Sequence, residues 1–191
     1  MHTTDKRFTE ENIELLYQVK GATLLSVDAL LVAPPNRSWG AVRLHFDTFD
    51  IDINNNLQEI IIDEFDSTEE FGILSLSAAS QEILSIPKVS ANTIKFTVNE
   101  RIEEIEVIDS LINVYGNGVL VSSIVYPQAV VFKTKSEYIV IDKEIWFSEM
   151  LAVKHSNDVD SLVYDDSVNW VDDPEEDETT HYEYATQAHR L

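Results

Sequence analysis

The chain contains no cysteine among its 191 residues, and this absence excludes several kinds of site. Without cysteine there is no disulfide, no zinc–thiolate centre and no thiol nucleophile. Glycine is scarce, with five residues, and no phosphate-cradling Gly-x-Gly-x-x-Gly or P-loop sequence occurs. No apolar run approaches the roughly 18 residues that cross a membrane, and residues 1–7 do not resemble a signal peptide. We therefore expect a cytoplasmic protein that does not bind membranes.

Basic residues are missing from two long stretches, which we call the first acidic stretch (44–87) and the second acidic stretch (155–189). Neither contains lysine or arginine, and they hold ten and eleven carboxylates. The whole chain has 13 basic and 35 acidic residues, and its formal net charge is -22. Direct binding to nucleic acid requires a positive surface, which this composition does not provide. The charge instead predicts a basic protein partner, and the alternative is an acidity that serves only solubility.

The hydrophobic pattern predicts an α+β, mostly β fold, with an N-terminal helix and two antiparallel sheet or small-barrel units. Thr9–Lys20 shows a helical apolar face, with Thr9 placed to cap the helix and Gly21 to end it. Many later segments alternate apolar and polar residues, as half-buried strands do. Tyr115-Gly116-Asn117-Gly118 is the strongest hairpin signal, and Asn54-Asn55-Asn56 predicts a further turn.

The composition predicts three parts: an N-terminal helix with an acidic β unit (1–88), a second β unit (89–156), and an acidic, partly disordered C-terminal tail (157–191). Ser26–Leu30 and Val107–Leu111 share an apolar-Asp-small-Leu pattern, which suggests a divergent internal duplication. The spacing of the matching segments is not constant, so a chance resemblance stays open. From Asp172 onward no apolar pattern sustains a core, and we expect disorder there.

No catalytic or cofactor motif is present, so we predict a protein that is not an enzyme and holds no cofactor or metal. Asp50, Asp52 and Asn54 begin like a calcium-binding loop. The resemblance ends there, because Asn55 replaces the required glycine and Ile61 the required glutamate. The aspartates fit a strand better than a calcium loop.

The five histidines do not indicate a metal or catalytic centre. None forms His-Glu-x-x-His, and no two have a metal-ligand spacing such as His-x-His. We interpret His45, close to Asp47 on the polar face of a predicted strand, as half of a surface ion pair, with a general base as the alternative. An enzyme with an unrecognised carboxylate–metal site is the third functional hypothesis.

The leading hypothesis is a non-enzymatic binding protein that inhibits a basic partner, such as a nuclease, a toxin or a nucleic-acid-binding enzyme. Immunity proteins, antitoxins and phage anti-defence proteins work in this way, because closely spaced carboxylates can mimic the phosphates of DNA. The predicted contacts are Asp47, Asp50, Asp52, Asp63, Glu64, Asp66, Glu69, Glu70, Trp170, Asp172, Asp173, Glu175 and Glu176. The alternative is a structural protein that self-associates through sheet edges into a homo-oligomer.

Overall fold

The computed structural model describes residues 1–33, 37–62, 68–79, 94–144, 146–158 and 180–191. Within these ranges the chain forms one helix, α1 (Glu10–Val19), and thirteen strands. The strands are β1 (His2–Asp5), β2 (Thr23–Ala29), β3 (Val32–Ala33), β4 (Arg37–Trp39), β5 (Ala41–Phe46), β6 (Ile51–Ile61), β7 (Thr68–Ala78), β8 (Lys95–Arg101), β9 (Glu104–Gly116), β10 (Val119–Lys133), β11 (Tyr138–Lys143), β12 (Met150–Ser156) and β13 (Thr180–Arg190). The predicted fold class, mostly β with an N-terminal helix and two antiparallel sheets, is confirmed. In the part of the chain that the structure describes, no helix is long and apolar enough to cross a membrane.

Helix α1 begins where the sequence predicts. The side-chain oxygen of Thr9 accepts a hydrogen bond from the backbone N–H of Asn12 at 3.3 Å, which satisfies one of the free N–H groups of the first turn. The helix ends at Val19, and Gly21 then takes a φ of +86°, which side chains with a Cβ rarely adopt. Leu16 and Val19 are fully buried, so this face of the helix packs into the core of the strands.

The strands form two sheets. The first has five strands in the order β7-β6-β5-β2-β8, and all its pairings are antiparallel. The second has eight strands, in the order β13-β9-β10-β11-β12-β4-β3, with β1 added by a parallel pairing to β10. β9 and β10 are joined by a two-residue turn at Asn117 and Gly118, whose φ angles are 51° and 76°. This turn confirms the hairpin that the sequence predicts.

The two sheets share one large apolar core. Phe46 of the first sheet and Phe132 of the second have ring centroids 6.4 Å apart. Alternate residues of the strands enter this core, as Ile139 and Ile141 of β11 do. Full burial of one such side chain contributes about 1.5–3 kcal/mol, so this core is the main source of stability.

The far end of the β6–β7 hairpin packs against the eight-stranded sheet and forms a second apolar cluster with it. Phe71 meets Tyr126 edge to face, with ring centroids 5.7 Å apart. The Nζ of Lys143, a fully buried side chain, donates to the carbonyl of Gly72 at 2.6 Å and lies 3.7 Å from the centre of the Tyr126 ring. The N–H of Gly72 donates to the carbonyl of Trp146 at 2.6 Å. These contacts fix the end of the hairpin.

The predicted division into two β units does not match the sheets. β8 follows the boundary predicted at residue 88, which lies outside the described ranges, but it pairs with β2 in the first sheet. β1 and β4 precede that boundary but pair with β10 and β12 in the second sheet. One core spans both halves, so they do not form separate sheets. The internal duplication stays a prediction.

The predicted disorder of the C-terminal tail is wrong for its last segment. β13 pairs with β9 along its whole length, from Thr180 opposite Gly116 to Arg190 opposite Glu106. Its tyrosines, Tyr182 and Tyr184, pack on the second apolar cluster. Backbone pairing and aromatic packing therefore order a segment whose exposed face is polar. Residues 159–179 lie outside the described ranges.

The predicted turn at Asn54-Asn55-Asn56 is also wrong, because these residues lie inside β6. Asn55 is buried, and its Nδ2 donates to the carbonyl of Ser148 at 2.9 Å. An asparagine that bonds to another segment of backbone has no need to form a local turn.

Candidate functional site

The structure describes five of the thirteen predicted contact residues, and it does not bring them together. Asp47, Asp50 and Asp52 lie at the start of β6 or just before it, whereas Glu69 and Glu70 lie at the start of β7. Glu70 stands opposite Glu59, near the far end of β6. Since a strand rises about 3.3 Å per residue, Glu69 and Glu70 lie about 30 Å from the three aspartates. The other predicted contacts lie outside the described ranges: Asp63, Glu64, Asp66, Trp170, Asp172, Asp173, Glu175 and Glu176.

Asp52 is buried, and the prediction that it is a surface contact is wrong. Its two oxygens accept hydrogen bonds from Nε and Nη2 of Arg43 at 2.7 and 2.8 Å, and neither side chain is more than 2% exposed. The bonds to Asp52 raise the pKa of Arg43 above its usual value. Lys95, Asp28, Arg43 and Asp52 stand side by side on four neighbouring strands, as a row of alternating charge. Asp52 therefore bonds within the first sheet and is not accessible to a partner protein.

Asp47 and Asp50 are held in the connection between β5 and β6. The Oδ1 of Asp47 accepts a hydrogen bond from the N–H of Thr23 at 2.9 Å, and this bond lowers the pKa of Asp47 below its usual value. The Oδ2 of Asp50 lies 2.8 Å from Nδ1 of His45. The carboxylate that His45 contacts is thus Asp50 rather than Asp47. Both carboxylates reach solvent at one end of the first sheet.

Glu59, Glu69 and Glu70 form a group that we call the acidic hairpin end. Glu59 stands directly opposite Glu70, and Glu69 stands opposite Ile60. All three glutamates are exposed. Two like charges directly opposite each other destabilise a sheet, so this arrangement has a cost in the isolated protein. None of the ion pairs between described residues involves these three side chains.

Many of the basic side chains are already paired with carboxylates of the same chain. Because these basic side chains already have carboxylate partners, they do not neutralise the other carboxylates, and the surface keeps a strong negative charge. The ion-paired lysines and arginines of the described ranges are Arg7, Arg37, Arg43, Lys95, Lys133, Lys154 and Arg190.

A second candidate site, which is absent from the predicted contacts, lies beside the N-terminal part of the chain. Two adjoining cavities of about 470 and 480 Å³ share Arg7 and Asp109 in their walls, and we call them together the Asp109 cleft. Asp109 comes from β9, His189 from β13, and Arg7 from the segment after β1. The remaining wall is mixed: Asp5, Thr186 and Gln187 are polar, and the apolar side chains are Phe8, Ile13, Val107, Leu111, Val125, Ala185 and Leu191.

Asp109 is the most deeply buried charged group of this cleft, at 4% exposure. Its Oδ2 lies 3.1 Å from Nε2 of His189, and among the described residues neither that Nε2 nor the buried Oδ1 of Asp109 has a hydrogen-bond partner. Burial raises the pKa of Asp109 above its usual value, while the charges of His189 and Arg7 act in the opposite direction. Arg7 is itself held by Asp5, whose oxygens accept from its Nε at 3.0 and 3.1 Å. A buried carboxylate with a raised pKa beside a cavity is typical of a functional site.

The substitution Asp109→Asn is expected to raise the melting temperature at neutral pH. Because the pKa of Asp109 is raised by folding, ionisation of this carboxyl group destabilises the folded state. This destabilisation is absent below the unfolded pKa of about 3.9, grows as the pH rises through the folded pKa, and is complete above it. The two melting temperatures should therefore differ most at pH 7–8 and converge toward pH 4.

Asp47→Asn is the matched control for this prediction, because the pKa of Asp47 is shifted in the opposite direction. Ionised Asp47 stabilises the folded state, so this variant is expected to melt below the parent protein at neutral pH. An Asp109→Asn variant that melts at or below the parent protein at pH 7 would contradict the assigned role of burial.

The Asp109 cleft has a weak signature in the sequence. Val107, Asp109 and Leu111 occupy alternate positions of one strand, so Asp109 takes a place that the pattern reserves for an apolar residue. Arg7 and His189 are remote in sequence and join Asp109 only through strand pairing, which no local pattern predicts. Over the described ranges, no group of three or more His, Asp or Glu side chains could hold a metal ion.

Comparison with known proteins does not assign the chain to a family. No protein-family model, no curated protein and no solved structure matches it.

Proposed function

We propose that the protein is a non-enzymatic binding protein that recognises a basic protein partner through the acidic hairpin end. The observation that carries this proposal is the pairing of Glu59 directly opposite Glu70, with Glu69 beside them. Like charges in this position lower stability, and a cationic partner would remove the cost. In the sequence, Asp63, Glu64 and Asp66 lie between β6 and β7, and under this proposal they would contact the same partner.

The rigidity of the hairpin supports this proposal. The bonds of Gly72 to Lys143 and Trp146 lie two residues from Glu70, so the glutamates are presented by a fixed element. Closely spaced, pre-positioned carboxylates can compete with nucleic acid for a basic groove and speed the encounter with it. The favoured partner is thus a nuclease, a toxin or another nucleic-acid-binding enzyme. Asp47 and Asp50, about 30 Å away, would form a separate contact.

The contact residues predicted in the second acidic stretch would bind the same basic partner. Trp170 would supply an aromatic anchor, and the neighbouring carboxylates would extend the negative surface. These residues are Trp170, Asp172, Asp173, Glu175 and Glu176.

The triple substitution Glu59→Gln, Glu69→Gln and Glu70→Gln tests this function. We expect the parent protein, used as bait at low salt, to retain a basic host protein that is released by high salt or by duplex DNA. The triple variant should bind that protein roughly tenfold more weakly, because three surface charges contribute about 0.5 kcal/mol each. The variant should fold at least as stably as the parent, since it loses the repulsion between Glu59 and Glu70.

A matched control changes Glu10, Glu11 and Glu14 to Gln on helix α1. These three glutamates are exposed, and their replacement alters the net charge by the same amount. The control should retain the partner nearly as well as the parent protein does. Equal losses in the two variants would show that overall charge alone is recognised, and the assignment to the acidic hairpin end would then fail.

Self-association is the second candidate function, and one observation favours it. β13 has eleven residues, stands at the edge of the eight-stranded sheet, and pairs with β9 alone among the strands that the structure describes. A long edge strand can pair with a second chain. Sedimentation at low and high salt separates the two functions. An oligomer that persists or grows in high salt favours edge pairing, because screening removes the repulsion between acidic copies.

A further inference from the structure

The edges of the two sheets differ in how they are closed to other chains. Folded proteins usually cover a long edge strand, interrupt it or keep it short. Among the described strands, β3 is short, with two residues. β7 is covered, because the carbonyl of Leu76 accepts from Nδ2 of Asn12 in helix α1 at 2.9 Å and Gly72 bonds to Trp146. β8 is interrupted, because its pairing with β2 shifts register and Asn99 has a φ of 54°.

β13 has none of these features in the part of the chain that the structure describes. Its eleven residues pair with β9 without any shift of register. The strand contains no proline and no lysine, which are common on edge strands that resist pairing. Apart from two histidines, its charged side chains are Glu183 and Arg190, whose charges cancel. β13 is therefore a long, regular and nearly neutral edge in a chain of net charge -22.

The hydrogen bonds to β9 show which backbone groups of β13 face outward. The N–H of Leu191 donates to the carbonyl of Ile105 at 2.9 Å, and the register of β13 continues to this pair. Bonded and unbonded pairs alternate along an antiparallel ladder. The odd-numbered residues of β13 therefore bond to β9, and the even-numbered residues direct their N–H and C=O groups to the open edge. The outward groups of Thr186, Ala188 and Arg190 bond to no described residue.

The charges of β13 favour a second copy of the same strand as its neighbour. Glu183 lies near the start of the strand and Arg190 at its end, so antiparallel pairing brings the acidic part of each copy toward the basic end of the other. Residues 185–188, between them, are exposed and uncharged, so they add no repulsion. A strongly basic partner would find a single carboxylate here, whereas the acidic hairpin end offers three.

We propose that β13 is the interface of a symmetric homodimer, in which two copies of the strand pair antiparallel with Gln187 opposite Gln187 of the second copy. Thr186 of each copy then stands opposite Ala188 of the other, so their outward N–H and C=O groups bond to each other. Registers shifted toward the strand start would use Tyr184 instead, and registers shifted toward the end would shorten the overlap. This inference rests on self-association, the second candidate function, and does not involve the acidic hairpin end.

Single-cysteine variants test the register, because the chain has no cysteine of its own. Gln187→Cys would place two thiols at facing positions whose Cα atoms are about 4.5 Å apart, a distance that a disulfide spans. Diamide, which takes up the two thiol hydrogens, should therefore convert this variant to a covalent dimer. Ala185→Cys is the matched control, exposed and on the same strand face. Its two copies would lie about 13 Å apart along the strands, so it should cross-link at least about tenfold more slowly.

Thr186→Pro tests the outward bonds without disturbing the pairing with β9. The N–H of residue 186 faces the open edge, so proline removes a donor that β9 does not use. Sedimentation of the parent protein in about 1 M salt, where screening suppresses the repulsion between acidic copies, should show twice the monomer mass. Thr186→Pro should lose the dimer, and Thr186→Val, which keeps the N–H, should retain it.

Two results would overturn the proposal. A parent protein that stays monomeric in high salt, together with a Gln187→Cys variant that does not cross-link, would exclude a second copy from this edge. An oligomer that persists in Thr186→Pro, or that cross-links equally fast through Ala185→Cys, would place self-association on another surface. Neither result affects the binding of a basic partner, which the triple variant of Glu59, Glu69 and Glu70 tests separately.

Discussion

The substitution Arg43→Met is expected to lower the free energy of unfolding by about 3–5 kcal/mol. Arg43 is 2% exposed and Asp52 is fully buried, so the substitution leaves a carboxylate in the interior without its guanidinium partner. Removing one member of a buried ion pair costs far more than removing a surface pair, because the remaining charge stays desolvated. Urea unfolding of the parent protein and the variant measures the difference directly.

Two further variants make this prediction specific. Lys95→Met removes the exposed cation at the end of the same charge row, where Nζ lies 3.6 Å from Asp28, and it should cost less than about 1 kcal/mol. The double variant Arg43→Met and Asp52→Leu removes both buried charges and should recover most of the loss. A single Arg43→Met variant that unfolds within about 1 kcal/mol of the parent would show that the pair does little for stability.

The buried pair of Arg43 and Asp52 shows that the choice of exposed carboxylates is the part of the functional prediction that depends on tertiary structure. Asp50 and Asp52 have similar neighbours in the sequence, and alternation alone places both on one strand face. The structure separates them, since Asp52 stands in register with Arg43 of β5, whereas Asp50 precedes β6 and meets His45. The register between two strands is not encoded by either strand alone. A count of carboxylates therefore overestimates the surface that a partner can contact.

Local signals predict the elements of this fold better than its assembly. The Thr9 cap and the turn at Asn117-Gly118 are confirmed because each depends on a few neighbouring residues. The exchange of β1, β4 and β8 between the two halves is missed, since it depends on pairing between distant segments. The order of β13 is missed for the same reason, because its partner β9 lies some 70 residues earlier.

The Asp109 cleft shows the same difference between local sequence signals and the assembly of distant segments, here for a candidate site. A carboxylate at a core-facing position of β9 is visible in the sequence as an exception to the pattern. Its neighbours are not, because the segment after β1 and the end of β13 reach it from opposite ends of the sequence. Asp109 is thus unusual in its strand pattern, but only the assembled sheet shows that it lines a cavity.

Gly72 is the position where the acidic hairpin end is attached to the rest of the molecule. A Cβ added there would lie 2.5 Å from the carbonyl oxygen of Ser148 and 2.7 Å from Oδ1 of Asn55. Real Cβ atoms essentially never come so close to another heavy atom. The nearer obstacle is backbone, which cannot rotate away as a flexible side chain would. An alanine is therefore expected to push the connection between β11 and β12 away from the hairpin.

The substitution Gly72→Ala should lower the free energy of unfolding by about 3 kcal/mol, at the upper end of the usual cost of overpacking. It should also weaken the bonds that Gly72 makes with Lys143 and Trp146, so hydrogen exchange should rise in the hairpin before it rises in α1. Gly116→Ala is the matched control, since its Cβ would lie an ordinary 3.4 Å from Val121 and should cost almost nothing. Because Glu70 is two residues away, the displaced hairpin should also bind a basic partner less tightly. If Gly72→Ala unfolds like Gly116→Ala, the hairpin is not fixed by this contact, and the acidic hairpin end loses its rigid support.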